Sequence, residues 1–286
     1  MSLLSVPDRA LVLVSGEPAI AFLQALITTD LLQLEADEVR PGALLTPQGK
    51  ILFDFLVSRT DNGVRLETDV DQAPALMKRL TLYKLRAPIT LSLDAETAVA
   101  VSFELAEGAL RDVRFAMSGV TAYRIYGASG VDDSSGRVDA ARIAAGIAVS
   151  GADYALQDAF PHDVLLDKNG GLSFRKGCYV GQEVVSRMQH RGTARRRVVT
   201  VEANGTLPAS GTPITAAGKV IGTLGSVAGR AGLAIVRIDK AGEAMADRTD
   251  ILAGDVKVAL ALPAWTGLAF PVPSPDAAPK TSEAGA

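Results

Sequence analysis

The residues with the most chemistry at their disposal lie between Gly170 and Arg197. The run Arg175-Lys176-Gly177-Cys178-Tyr179-Val180-Gly181-Gln182-Glu183 sets the chain's single cysteine between two glycines, beside two cations and ahead of a helix-forming stretch, Gln182 to Met188. If that helix begins near Gly181, Cys178 stands just before its first turn. Free backbone N–H groups and the positive dipole end there favour a thiolate, and Arg175 and Lys176 push the same way. Gly177 and Gly181 leave the sulfur unshielded. The pattern predicts a partly ionised thiol, suited to metal ligation, redox change or nucleophilic attack. The competing reading is a small buried hydrophobe, the usual state of a lone intracellular cysteine. A cysteine-protease arrangement needs a histidine base, and only His162 and His190 are available.

Charge singles out the same segment. Residues 175–197 hold seven Lys or Arg (Arg175, Lys176, Arg187, Arg191, Arg195, Arg196, Arg197) against Glu183 alone, a net +6 in a chain whose total is -3. Such a patch attracts polyanions: phosphates, a polyglutamate tail, RNA or an acidic partner. Tyr179 is the only aromatic residue among those cations, which serves base stacking poorly. One cysteine and two histidines exclude a disulfide, cysteine-rich zinc motifs and a self-sufficient iron–sulfur site.

The elements that must position this segment are read from periodicity. Ala10–Ser15 predicts a strand, and Ala21, Phe22, Leu23 and Leu26 a helix after Gly16-Glu17-Pro18. Pro47-Gln48-Gly49 joins Leu44-Leu45 to Ile51–Val57 as a hairpin, and Asp61-Asn62-Gly63 is a second turn. Leu76, Leu80 and Tyr83 mark a helix ending before Pro88, with Ile89, Leu91 and Leu93 alternating after it. A helix is expected at Val138–Ala145 and a short strand between Gly171 and the thiol. From Val198 onward, short apolar runs alternate with glycine turns and few helix signals remain, which predicts a small β-barrel or sandwich leaning on the first part. The class is α+β.

The expected division is a core over 1–197, a barrel over 198–265 and a disordered tail over 266–286. A chain of 286 residues, 48% hydrophobic, has ample material for such a core. No run is long or apolar enough to span a membrane, and no membrane contact is expected. Met1 to Arg9 lacks a basic, apolar targeting pattern. With the lone thiol, that predicts a cytoplasmic location. A monomer is the default.

Lys176-Gly177-Cys178-Tyr179-Val180-Gly181-Gln182-Glu183 resembles the K-G-C-Y-x-G-Q-E signature of the YgfZ family of folate-binding proteins. That family includes an Iba57-like branch of iron–sulfur cluster assembly factors and is related to the glycine-cleavage T-protein, an aminomethyltransferase. Gly170 to Phe174, Arg191-Gly192, Gln24 to Asp30, Leu45 to Ile51 and Tyr83-Lys84-Leu85-Arg86 resemble family segments in the same order, over about residues 8–262.

The resemblance implies a GcvT/YgfZ-like multi-domain core around a central folate-sized cavity, with a small C-terminal β-barrel. It implies assembly or repair of iron–sulfur clusters in client enzymes, in some bacteria a tRNA-thiolating protein, together with scaffold or carrier proteins. Cys178 becomes the functional thiol, facing the cavity or a partner and serving as a ligand to a transient shared cluster. Lys176, Gly177, Tyr179, Gly181, Gln182 and Glu183 shape its loop, and Arg187 and Arg191 follow on the helix or its exit. Tetrahydrofolate is the implied cofactor, with Asp30, Tyr83 and Arg142 as expected cavity residues. The aminomethyltransferases carry an Asp-Asp pair where this chain has Phe53-Asp54, and Arg-x-Glu-x-Gly where it has Arg142-Ile143-Ala144-Ala145-Gly146. Losing a carboxylate would leave pterin donors unpaired at about 1–3 kcal/mol. The departures point to an accessory protein rather than an enzyme. The alternatives are a tetrahydrofolate-dependent aminomethyltransferase-like enzyme and an RNA-interacting protein with weak tRNA contact.

Overall fold

A computed structural model describes residues 3–272. The first half builds a nine-stranded sheet from β1 (Leu4–Ser5), β2 (Arg9–Ser15), β3 (Glu38–Leu45), β4 (Ile51–Thr60), β5 (Gly63–Asp69), β6 (Thr90–Asp94), β7 (Val99–Ser102), β8 (Leu110–Asp112) and β9 (Tyr123–Tyr126). Their order in space is β1-β7-β9-β8-β3-β4-β5-β2-β6, antiparallel throughout except for the β3–β8 pair. Both turns expected from sequence are present, joining β3 to β4 and β4 to β5.

Four helices flank this sheet: α1 (Ala19–Gln24), α2 (Ala73–Lys84), α3 (Val113–Met117) and α4 (Arg137–Ala145). Alternation along β4 assigns its two faces. Phe53, Phe55 and Val57 join a cluster with Leu23 and Ile27 at α1, and with Leu76 and Leu80 of α2. Asp54 and Leu56 point the other way, into a cavity.

From Ile147 to Gly181 the chain is irregular, with a buried stretch at 161–166. Its backbone is satisfied by pairing with regular elements, as the near-complete pairing of buried backbone groups requires. The Ile51 N–H donates to Ala159 at 2.9 Å, and the Val198 N–H donates to Asp163 at 2.8 Å. The strand expected between Gly171 and the thiol is absent; Ser173 instead donates its N–H to the Thr28 carbonyl at 3.0 Å.

After α5 (Gln182–Arg191), six strands close a barrel in the order β10-β13-β12-β11-β14-β15. They are β10 (Arg196–Ala203), β11 (Pro213–Ala216), β12 (Lys219–Ala228), β13 (Ala231–Arg237), β14 (Ile251–Ala253) and β15 (Val256–Ala261). Val198, Leu233 and Ile235 of the barrel wall pack into a cluster with Leu45, Ile51, Leu165 and Tyr179.

Two sequence expectations change here. The paucity of helix signals missed α6 (Ile238–Ala246), which caps the barrel with Ile238, Ala241 and Ala244. Part of the expected disordered tail, residues 266–272, is packed: Phe270 rests on the barrel cluster and Leu268 on the core. Gly242 allows this passage, since a Cβ there would stand 2.1 Å from the Pro271 carbonyl oxygen. The remainder, 273–286, lies outside the described residues.

Candidate functional site

Cys178 is exposed, and it is the chain's free thiol. Its neighbours explain how an exposed residue is held. Ser173 Oγ accepts from the Arg175 and Lys176 N–H groups at 3.3 and 3.2 Å, turning the chain tightly. Lys176 then folds inward, only 8% exposed, and its ammonium donates to the Ile27 and Thr29 carbonyls at 2.7 Å each. Burial, only partly opposed by Asp30, lowers its pKa to about 8. Tyr179 is 6% exposed, its ring 5.4 Å from the Lys176 ammonium. Burial raises the Tyr179 hydroxyl above its usual pKa, and it has no hydrogen-bond partner. The thiol thus rides between two buried anchors.

Helix α5 begins four positions after the thiol. Gly181 is its N-cap at φ +79°, and a Cβ on it would stand 2.5 Å from the Thr46 carbonyl oxygen. The Thr46–Gly49 turn therefore nests against the start of α5, which is why glycine is required there. Gln182 is half-buried, and Glu183 is exposed and bonded to Arg187 at 2.6 Å, one turn on. Arg191 is exposed at the end of the helix.

Lys176 does not serve Cys178 as a neighbouring charge in the way the sequence suggests, because its ammonium is committed to backbone carbonyls. The basic patch is likewise dispersed. Arg197 is buried against Asp167 at 2.7 Å, Arg196 pairs with Asp158 at 3.0 Å, and Arg187 with Glu183. His162 is buried, with Nε2 3.2 Å from Gln189 Oε1, and burial lowers its pKa; His190 is exposed on the last turn of α5. Among the described residues no hydrogen bond joins either histidine to Cys178.

The second candidate region is a central cavity of about 350 Å³. Cys178 does not line it, so of the two placements expected for the thiol the cavity is excluded. Asp30 and Tyr83 do not line it either. Asp30 caps the turn Leu31–Gln33, accepting from Gln24 Nε2 at 2.8 Å, and Tyr83 packs on the α1–α2 cluster. Arg142 does line the cavity, but its donors are engaged: Asp139 at 2.7 Å, Asp153 at 2.8 Å, the Ile147 carbonyl at 3.2 Å and Ser226 Oγ. It clamps α4 to the barrel rather than standing free for a ligand.

Apart from Arg142, the residues that face the cavity with chemistry were not foreseen as site residues. Asp54 accepts from Tyr154 at 2.9 Å and from Ser150. Burial, with Asp54 beside it, lifts the Tyr154 hydroxyl well above its usual pKa, so it stays a donor. Behind Arg9, Arg114 and Arg124 stand the buried carboxylates Glu67 and Asp112. Arg114 grips Asp112 with two bonds of 3.0 and 2.7 Å. Burial alone would raise the Glu67 pKa, but Arg124, Arg9 and the Tyr126 hydroxyl outweigh it and hold it at about 2. Arg124 is 7% exposed and 3.4 and 3.5 Å from Glu67 and Asp112, yet its Nε and Nη1 lack a hydrogen-bond partner. One carboxylate for ring N–H donors and orphaned guanidinium donors for acceptors fit a folate in outline. Phe53 is turned into the core and Ala144 is exposed off the cavity, so neither position bears on that fit.

Residues 195–268 match the family model of the CAF17 C-terminal beta-barrel domain, spanning the barrel described above. The mitochondrial iron–sulfur cluster assembly factor IBA57 of Mus musculus is 30% identical over 80% of this chain and 75% of its own length. Its homologue in Pyricularia oryzae is 30% identical over 67% of this chain, which spans only 55% of that protein. Among solved structures, the glycine cleavage system aminomethyltransferase T from Bartonella henselae superposes with a TM-score of 0.65 over 91% of this chain and 85% of its own, at 16% identity. That likeness bears on the fold alone. The expected cytoplasmic location is corrected by the relatives, which are named as mitochondrial proteins. At this identity and coverage, the chain belongs to the IBA57 family of iron–sulfur cluster assembly factors.

Proposed function

We propose that the chain is an accessory factor in iron–sulfur cluster assembly that offers Cys178 as one ligand to a cluster held mainly by a partner. The observation that carries the reading is an exposed sole cysteine rigidly mounted between buried Lys176 and Tyr179. A cluster takes about four thiolates. One thiol cannot supply them, so the cargo is bridged, and scaffold or carrier proteins and client enzymes are the partners. The thiol must then be outside, where a second protein reaches it, rather than in the cavity.

Tetrahydrofolate is proposed for the cavity, held by Asp54 and Arg124 with Tyr154 fixing Asp54, in place of Asp30, Tyr83 and Arg142. When bound, it would supply one-carbon carrier chemistry. This chain's residues would orient it and exclude water. An accessory role is favoured over aminomethyl transfer because Ser150 and Tyr154 already engage both Asp54 oxygens. RNA contact has little support, since four of the seven cations in 175–197 are paired or buried.

The test is reconstitution with an A-type scaffold under anaerobic iron and sulfide. Wild type should give a heterocomplex with a cluster absorption band, and Cys178→Ser should lose the band while retaining its melting temperature. Equal cluster content in the Cys178→Ser complex would remove the thiol from the reaction. For the cavity, calorimetry with tetrahydrofolate should show binding that Asp54→Asn weakens by at least tenfold; identical binding by both would place the ligand elsewhere.

A further inference from the structure

Helix α2 and the chain after it form a surface that neither candidate site uses. Residues 72–93 contain four cations, Lys78, Arg79, Lys84 and Arg86, and no acid. Eight arginines elsewhere meet carboxylates: Arg9, Arg111, Arg114, Arg142, Arg187, Arg196, Arg197 and Arg237. Here, among the described residues, none of the four side chains has an ion pair or hydrogen bond.

Apolar residues stand among these charges. The inner face of α2 buries Ala73, Leu76 and Leu80 in the core. On the outer side Leu82 is 62% exposed, and Leu85, just past the last turn, is 87% exposed. Lys78 and Leu82 are four residues apart and Arg79 and Leu82 three, so they share one helical face. Leu85 holds φ +46°, a conformation that an L side chain adopts only with strain. The strain brings no packing within the chain, because the side chain it positions lies in solvent.

We propose that this face docks an acidic protein surface with an apolar recess that receives Leu82 and Leu85. The opposed charges would steer the approach and set the register, and the leucines would supply the buried anchor. Two leucines without an exposed aromatic residue make a weak grip on a bilayer. Tyr83, half-buried against the core, leaves no platform for stacking bases. An acidic protein is therefore the occupant that the chemistry favours. Tyr83 beside this surface and Val180 beside the thiol pack against one apolar cluster. The inference stands on charge and exposure, independently of what Cys178 does.

The probe is a fluorescein-labelled helical peptide presenting a Glu-rich face around two leucines, followed by anisotropy with the full chain at low and high salt. Binding should weaken as salt rises. It should fall about tenfold in Lys78→Glu/Arg79→Glu and by about as much in Leu82→Ser/Leu85→Ser, with melting temperatures held because all four residues are exposed. A peptide with Lys replacing Glu should recover binding to the charge-reversed variant. Affinity unchanged in both variants overturns the proposal. So does a larger loss, in the same variants, of binding to phosphatidylserine vesicles or to poly(U) RNA than to the peptide.

Discussion

The cavity and the thiol loop share one chain and are held by opposite means. The cavity wall is charge upon charge: Arg9, Arg114 and Arg124 against Glu67 and Asp112, with the acids nearly inaccessible. The loop has a single buried cation, Lys176, and it is neutralised by no carboxylate in contact but by two backbone carbonyls. A network of paired charges fails badly when one member goes, because the others are stranded. A charge held by carbonyl dipoles fails locally. The cavity is therefore a structural commitment of the whole core, whereas the loop can change without unfolding the protein.

The contrast can be broken at its strongest point first. Glu67→Ala should cost about 3–5 kcal/mol in urea unfolding, since it leaves the buried Arg124 and the half-buried Arg9 without their acid. A cost below 1 kcal/mol would mean the network is not cooperative. The same group sets an acid limb. Its folded pKa of about 2 lies below the unfolded value of 4.5, so its stabilisation is complete above 4.5 and is lost as pH falls toward 2. Glu67→Gln should flatten that part of the stability–pH curve.

Next in size, Lys176→Met should cost about 2–3 kcal/mol by leaving two carbonyls unpaired and should raise the rate at which Cys178 reacts with a disulfide reagent, as the loop loosens. An unaltered rate would show that the lysine does not hold the thiol. The pH sign is opposite to that of Glu67. With a folded pKa of about 8 against 10.5 unfolded, the unfolded chain binds more protons across that window, so this group's contribution rises with pH from 8 to 10.5. Lys176→Met should abolish that rise.

Gly181→Ala should cost about 1–2 kcal/mol, from a positive φ and the approach to Thr46, measured by thermal unfolding. Smallest of all, Cys178→Ser should shift stability by less than about 0.5 kcal/mol, as an exposed position does. A large loss would mean the sulfur is packed rather than presented.

The elements with strong periodicity or turn chemistry were legible in the sequence: β2, the β3–β4 and β4–β5 hairpins, α2, α4 and α5. Helix α6 was not, because beyond Ile238 its buried face is alanine and glycine, small residues that leave little hydrophobic signature. At the thiol loop the sequence showed a solvent-accessible thiol before a helix, and the structure places it so, but Lys176 takes a different position from the one its neighbours suggest. Lys176 reads as a solvated charge in a basic run, and only the fold reveals the carbonyls of Ile27 and Thr29, 149 and 147 positions away, that draw it inward. The cavity was legible least. Asp54 lies 96 and 100 positions from Ser150 and Tyr154, so no local pattern joins them. Asp30 and Tyr83, chosen for their chemistry, were already committed to a cap and to the core.

The chain's single tryptophan offers a practical consequence. Trp265, beyond the last barrel strand, donates its indole N–H to the Ala145 carbonyl at 2.9 Å, at the C-terminal end of the helix whose Arg142 clamps the barrel. It is not among the cavity-lining side chains. Its emission should therefore be indifferent to whatever fills the centre, and should redden when the C-terminal module lifts off its seat. In a denaturant series that makes it a built-in optical gauge of whether the two halves part before either one melts.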